Sequence, residues 1–181
     1  IKKGTCIRFN GKLYFCVDFQ HVKPGKGNTF MRVTLKSIVD GRTLEHRFDI
    51  SEKLEDVRVE RRQYQYLYKE GDDFIFMNQE DYEQIPLNRE LITGVDFLKE
   101  SDVCEVVFDT SSETVLFAEL PIKTVLEVTY TEPGVKGDTA TNAAKKATVE
   151  TGAEVSVPLF IETGEMIRVD TRTNKYAERV K

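Results

Sequence analysis

Two dipeptides, Asn10-Gly11 and Asp40-Gly41, each set between runs rich in β-branched and aromatic residues, constrain this chain more than anything else in it. A two-residue hairpin turn needs positive φ at both central positions, and Asn, Asp and Gly are the residues that tolerate it. Thr5–Phe9 and Lys12–Phe19 therefore read as one antiparallel pair, and Phe30–Val39 with Arg42–Ile50 as another. The first turn places Cys6 opposite Phe15, and the second sets Lys36 beside Glu45 as a favourable cross-strand pair. Short strands joined by tight turns in this density imply a small barrel.

The charged segment Glu52–Arg62 reads as the last strand of that barrel running into a boundary. A second set follows: Tyr64–Tyr68, a turn at Glu70-Gly71-Asp72, then Phe74–Met77, and later Val103–Phe108 and Thr114–Glu119 around a polar turn. Between them, Leu91, Ile92, Val95 and Leu98 recur at helical spacing and predict a helix over Asn88–Lys99, against which Gly94 counts. Tyr64, Tyr66 and Tyr68 alternate along one strand and read as half-buried core. Pro121 marks a second boundary. Beyond it the expected strands are Thr124–Tyr130, Ala147–Glu150, Glu154–Phe160, Met166–Asp170 and Tyr176–Val180, with a long polar loop from Glu132 to Lys146. Loops of that length in compact domains are functional or disordered. The expectation is an all-β chain of three small β domains in series, over 1–60, 61–122 and 123–181.

Several chemistries fail on inspection. With 181 residues and 40% hydrophobic content the chain can build packed cores, yet no apolar run approaches the roughly 20 residues of a membrane span. Cys6, Cys16 and Cys104 form no C-x-x-C pair, and the odd count suits a reducing compartment. His21 and His46 have no metal-ligand spacing, so neither a metal nor another cofactor is expected. Neither phosphate-loop fingerprint is complete, no G-x-S-x-G elbow occurs, and pairs such as Asp72-Asp73 and Glu80-Asp81 sit in turn-like polar contexts. The chain reads as a binding protein and not an enzyme. A net charge of −5 argues against a non-specific polyanion binder, but affinity follows local patches and not the total. The chain opens on Ile1 and not Met, which implies some leader ahead of it.

One local patch stands out. From Phe19 to Val39 there is no Asp or Glu, while Lys23, Lys26, Arg32 and Lys36 fall within it. Pro24 presets φ, and Gly25 and Gly27 enter positive φ without steric cost, so the chain can reverse sharply with Lys26 at the tip. Taken alone, a lysine on such a tip is more often a solvated loop residue than a contact. An exposed lysine also lacks the burial a nucleophilic amine needs. Reach and contact fit it better, with Lys23 and Arg32 as flanking phosphate contacts or ordinary surface charge. Tyr176, Arg179 and Lys181 form an aromatic and basic C-terminal strand suited to RNA.

Lys23-Pro24-Gly25-Lys26-Gly27-Asn28 resembles the tip loop of the bacterial elongation factor P family. The resemblance continues, in order and spacing, through Tyr66-Leu67-Tyr68, Phe76-Met77-Asn78, Pro133–Thr139, Val157-Pro158-Leu159-Phe160 and Gly164–Thr171. It implies an SH3-like (KOW-like) N-terminal barrel followed by two OB-fold barrels, arranged in an L. It also implies a cytoplasmic, monomeric translation factor that binds the 70S ribosome, rRNA and ribosomal proteins near the P and E sites. Lys26 then stands beside the CCA end of the P-site peptidyl-tRNA, relieves stalling at consecutive prolines and is a target for a lysine-modifying enzyme. Gly137, Asp138 and Thr139 match a family loop near the E-site codon, although Ala143-Ala144-Lys145-Lys146 is less glycine-rich than the family pattern. Family members start only a few residues before Ile1. Two competing readings are a paralogue with another tip specificity and an OB-fold protein for single-stranded nucleic acid.

Overall fold

In the computed structural model, which describes residues 1–38, 41–134 and 143–181, the chain is almost wholly β and builds three sheets. The first holds β1 (Cys6–Phe9), β2 (Lys12–Val22), β3 (Phe30–Ser37), β4 (Thr43–Asp49) and β5 (Glu55–Asp56) in the order β4-β3-β2-β1-β5. Asn10 and Gly11 take φ of 50° and 74°, and the strands they join pair Cys6 with Phe15 as the turn demands. The β3–β4 turn differs from expectation. Lys36 pairs with Thr43, and Glu45 with Thr34. The last bond of the ladder is Ser37 N donating to the Arg42 carbonyl at 2.8 Å, and Gly41 takes φ 70°; Val39 and Asp40 lie outside the described residues. The register is displaced by two residues from the expected one, which keeps every side chain on its expected face because the side-chain period is two.

The inner face of this sheet carries Ile7, Tyr14, Cys16, Val33, Leu35 and Phe48, with Phe9, Phe19, Met31 and Leu44 packed around them. At roughly 25 cal/mol per Å² of apolar area buried, such a cluster is what fixes the barrel. Strand β2 changes phase in its middle. Tyr14 and Cys16 face the core below Val17, and Phe19 and His21 pair with Val33 and Met31 above it. Val17 is the extra residue of a β-bulge, and such a bulge bends and twists its strand.

The second sheet contains β6 (Val59–Glu70), β7 (Asp73–Asn78), β8 (Gln84–Asn88), β9 (Ile92–Thr93), β10 (Val103–Asp109) and β11 (Thr114–Glu119), in the order β8-β7-β6-β10-β11-β9. The charged run Glu52–Arg62 supplies β5, which pairs with β1 as the last strand of the first sheet, and then the start of β6. No α-helix forms over Asn88–Lys99. Two 3₁₀ turns, Arg89–Leu91 and Val95–Phe97, flank β9, which pairs in parallel with β11. Asn88 Oδ1 caps the first turn by accepting from Glu90 N at 3.0 Å, and Gly94 at φ 77° ends any helical run. Of the four residues at helical spacing Ile92 and Leu98 are buried and Leu91 and Val95 half-buried, while Phe97, outside that pattern, reaches the interior from the second turn. Tyr64 and Tyr66 are buried as core, but a second bulge between Tyr66 and Tyr68 leaves Tyr68 exposed.

The third sheet contains β12 (Lys123–Thr131), β13 (Ala144–Val149), β14 (Glu154–Pro158), β15 (Met166–Asp170) and β16 (Lys175–Arg179), in the order β14-β13-β12-β15-β16. Its interior is Leu126, Val128, Ala147, Val149, Val155, Val157, Ile161, Ile167 and Val169. By compactness the chain divides into two units, Ile1–Arg61 with Val107–Phe117, and Arg62–Val106 with Ala118–Lys181. Within the second unit the Lys99 ammonium donates to the Val125 carbonyl at 2.8 Å, and Thr151 Oγ1 donates to the Asp96 carbonyl at 2.6 Å. Among the described residues no helix is long and apolar enough to cross a membrane.

Candidate functional site

Strands β2 and β3 are the longest pair of the first sheet, and their last partners are Val22 and Phe30. Residues 23–29 therefore project past the ladder. The chain turns there through a bend at Gly25-Lys26-Gly27 with no strand pairing of its own. Gly27 sits at φ 110°, where an L side chain is strained, and a Cβ built on it would lie 3.8 Å from Pro24 Cγ. Nothing lies within 4 Å of a Cβ on Gly25. The two glycines thus do different jobs: Gly27 supplies a backbone conformation, and Gly25 keeps the apex slender.

Lys23, Gly25, Lys26, Gly27 and Asn28 are exposed and Pro24 is half-buried. No ion pair engages Lys23 or Lys26 among the described residues. An ammonium with four methylenes of reach is held at the end of an arm whose root is locked into the barrel core. Just below the tip Phe19 meets His21 edge-on, with ring centroids 6.3 Å apart. The arm's acid-free sequence leaves the apex without a carboxylate to neutralise it.

Arg32 is exposed on the outer face of β3 and stands directly opposite Arg47 of β4. Sequence reasoning passed over Arg47, whose guanidinium carbon lies 3.7 Å from the centre of the Phe30 ring. The signal was available in the alternation of β4, which puts Glu45, Arg47 and Asp49 on the face of Arg32.

The remaining candidates lie in the second unit. Tyr176 is half-buried and pairs with Val169, and Arg179 is exposed at the end of β16. Arg179 lies over the Phe160 ring at 5.4 Å and pairs with Glu165 at 3.3 Å, so part of its charge is already met. Gly137, Asp138 and Thr139 lie outside the described residues. The start of their loop is tightly packed at Gly134, where a Cβ would fall 2.6 Å from the Leu159 carbonyl oxygen. No group of His, Cys, Asp or Glu among the described residues is arranged to hold a metal.

Comparison with known proteins agrees with the three-sheet architecture. Residues 1–54 match the elongation factor P KOW-like domain, 59–113 the elongation factor P OB domain, and 124–179 the elongation factor P C-terminal domain. Elongation factor P of Bacteroides fragilis is 67% identical over 181 residues, covering 100% of this chain and 96% of that protein. The Flavobacterium johnsoniae protein of the same name is 50% identical over the same span, again covering 96% of that protein. A solved translation initiation factor 5A family protein from Naegleria fowleri shares the fold at TM-score 0.51 and 20% identity, over 66% of this chain and 93% of that one. With three family profiles laid end to end along it and full-length relatives of this identity, the chain belongs to the elongation factor P family: it is a translation elongation factor and not an enzyme.

Proposed function

We propose that this protein binds the 70S ribosome beside the P-site peptidyl-tRNA and stimulates peptide-bond formation at consecutive prolines, with Lys26 as the working residue. The observation that carries the reading is the Lys26 ammonium, without an ion-pair partner among the described residues, at the apex of an acid-free arm on a barrel-anchored hairpin. Proline's ring restricts the geometry of attack. A cation beside the CCA end can hold the peptidyl-prolyl terminus in a productive pose, an orientational and electrostatic contribution to a reaction the ribosome itself performs.

Pro24, Gly25, Gly27 and Asn28 shape the tip, and Lys23 and Arg32 contact phosphates. The slender, exposed apex also suits a lysine-modifying enzyme, which needs to enclose the side chain. The chain works as a cytoplasmic monomer of three domains, with boundaries near residues 60 and 122. Gly137, Asp138 and Thr139, and Tyr176 and Arg179 on the third domain, are its further RNA contacts.

The test is synthesis of a peptide with three consecutive prolines in a reconstituted translation system. Protein from its native cells is compared with Lys26→Ala and with no addition. Rescue by the native protein alone is expected. No rescue by the native protein, or equal rescue by both, overturns the reading.

A further inference from the structure

The outer face of the first sheet holds an arrangement that folding alone disfavours. Arg32 and Arg47 are direct cross-strand partners. Like charges placed opposite each other on a sheet destabilise it. Arg32 lies in the acid-free stretch, while Glu45 and Asp49 stand two residues to either side of Arg47 on the same face. Yet neither guanidinium is engaged in an ion pair among the described residues, and the nearby Asp18 is spent on Lys3 at 2.9 Å. Arg47 instead sits over Phe30, its guanidinium carbon 3.7 Å from the ring centre, a cation–π contact that holds the group in place. On the other side Arg32 is partnered by the exposed amide of Gln20. A row of donors, Gln20, Arg32 and Arg47, thus crosses three strands, and among the described residues neither guanidinium closes an ion pair with the carboxylates beside it.

We infer that Arg47, stacked on Phe30, joins Arg32 to form a two-arginine clamp on a single backbone phosphate of the RNA whose end meets Lys26. Two facts select this occupant. Planar guanidinium groups match phosphate oxygens in a fork, and a shared anion turns the Arg–Arg repulsion into attraction. Strand β3 also issues from the tip, so no more than about 20 Å of extended chain separates Arg32 from Lys26. The row therefore lies within reach of an RNA strand whose end meets the tip. The contact reads no base; it sets the register of the arm along the strand. The inference rests on the ribosomal reading above and adds to it a residue and a stoichiometry: two guanidiniums, one phosphate.

The experiment measures binding to 70S ribosomes carrying a peptidyl-prolyl-tRNA in the P site, across a salt series, with full-length variants. For a shared phosphate, Arg32→Gln and Arg47→Gln each weaken binding about tenfold. Each leaves the salt slope nearly unchanged, because the other arginine still neutralises the phosphate. The double variant lowers the slope by about one. Phe30→Leu, which removes no charge, also weakens binding by releasing Arg47. Arg47→Lys fails to restore the wild-type affinity, because an ammonium gives no fork. Unchanged affinity in Arg47→Gln, or a double variant whose slope falls by about two, overturns the clamp while leaving the role of Lys26 standing. Absence of binding by the unsubstituted protein overturns both.

Discussion

Cys104 sits on β10 with 1% of its surface exposed, and burial, aided by the nearby Asp102 carboxylate, pushes its thiol up to about 12. Cys6 on β1 is pushed up to about 11 by burial first, then by Asp56, with Arg8 pulling the other way. In the unfolded chain both return to about 8.5. The sign follows directly: the unfolded state gives up its thiol protons first as pH rises. The stabilisation is therefore whole below about pH 8.5 and is lost progressively towards 11 and 12. Urea unfolding at pH 8 and at pH 10.5 is expected to show a steeper loss in the protein than in Cys104→Ala, where that titration is gone. Equal losses would mean that burial of this thiol does not separate the two states. The same burial keeps both sulfurs as poorly reactive thiols at neutral pH. Nothing in the composition distinguishes Cys104 from a surface cysteine; its environment is made by β10 pairing in the sheet, a long-range event.

At the scale of elements, local chemistry was legible and tertiary compensation was not. Asn10-Gly11 could be read directly because both turn residues carry their own reason for positive φ, and the Cys6–Phe15 register followed. Gly27 was readable for the same cause and takes φ 110°, whereas Gly25, expected to be able to do the same, is not in that region and serves by its small size. The segment 88–99 misled because four apolar residues at helical spacing look alike whether a helix or two 3₁₀ turns carry them inward. Gly94 decided the matter. It sits at φ 77°, and a Cβ there would meet the Thr171 carbonyl oxygen at 3.0 Å. Gly94→Ala is expected to cost about 1–3 kcal/mol, from left-handed strain plus displacement of Thr171. Thr171 is buried and donates to the Pro121 carbonyl at 2.7 Å, so it has little room to yield. A urea midpoint unchanged within error would show that the backbone relaxes around the methyl group. The bulges in β2 and β6 also escaped the sequence, since an extra residue in a strand leaves no compositional mark.

For the molecule as a whole, charge is acidic in sum while the arm is basic and free of Asp and Glu. That distribution predicts selectivity by shape and not by general attraction to polyanions. Free oligouridine is expected to show no measurable binding at micromolar protein in 100 mM salt, while ribosome binding persists under the same conditions. Tight binding to the free oligonucleotide would move function from the arm to the barrel faces. The three-sheet architecture was legible from turn punctuation and from family motifs spread along the chain. The grouping of Val107–Phe117 with the first unit was not, because it depends on contacts such as that of Thr110 N with the Arg58 carbonyl at 3.0 Å.

The bulge at Val17 has an evolutionary consequence. Strand β2 runs in one phase where it builds the barrel and in the opposite phase where it carries the arm, and a single codon separates the two. Deleting Val17 itself would restore simple alternation, with Cys16, Asp18 and Phe19 opposite Leu35, Thr34 and Val33. Deleting a residue above it, between the bulge and the tip, would instead force a choice between turning polar side chains inward and sliding the hairpin past β3. Point substitutions along the arm can be sampled one at a time, but its length below the tip cannot drift by one residue. Lineages that vary the chemistry at the apex are therefore expected to keep the count of residues between the bulge and Lys26 fixed.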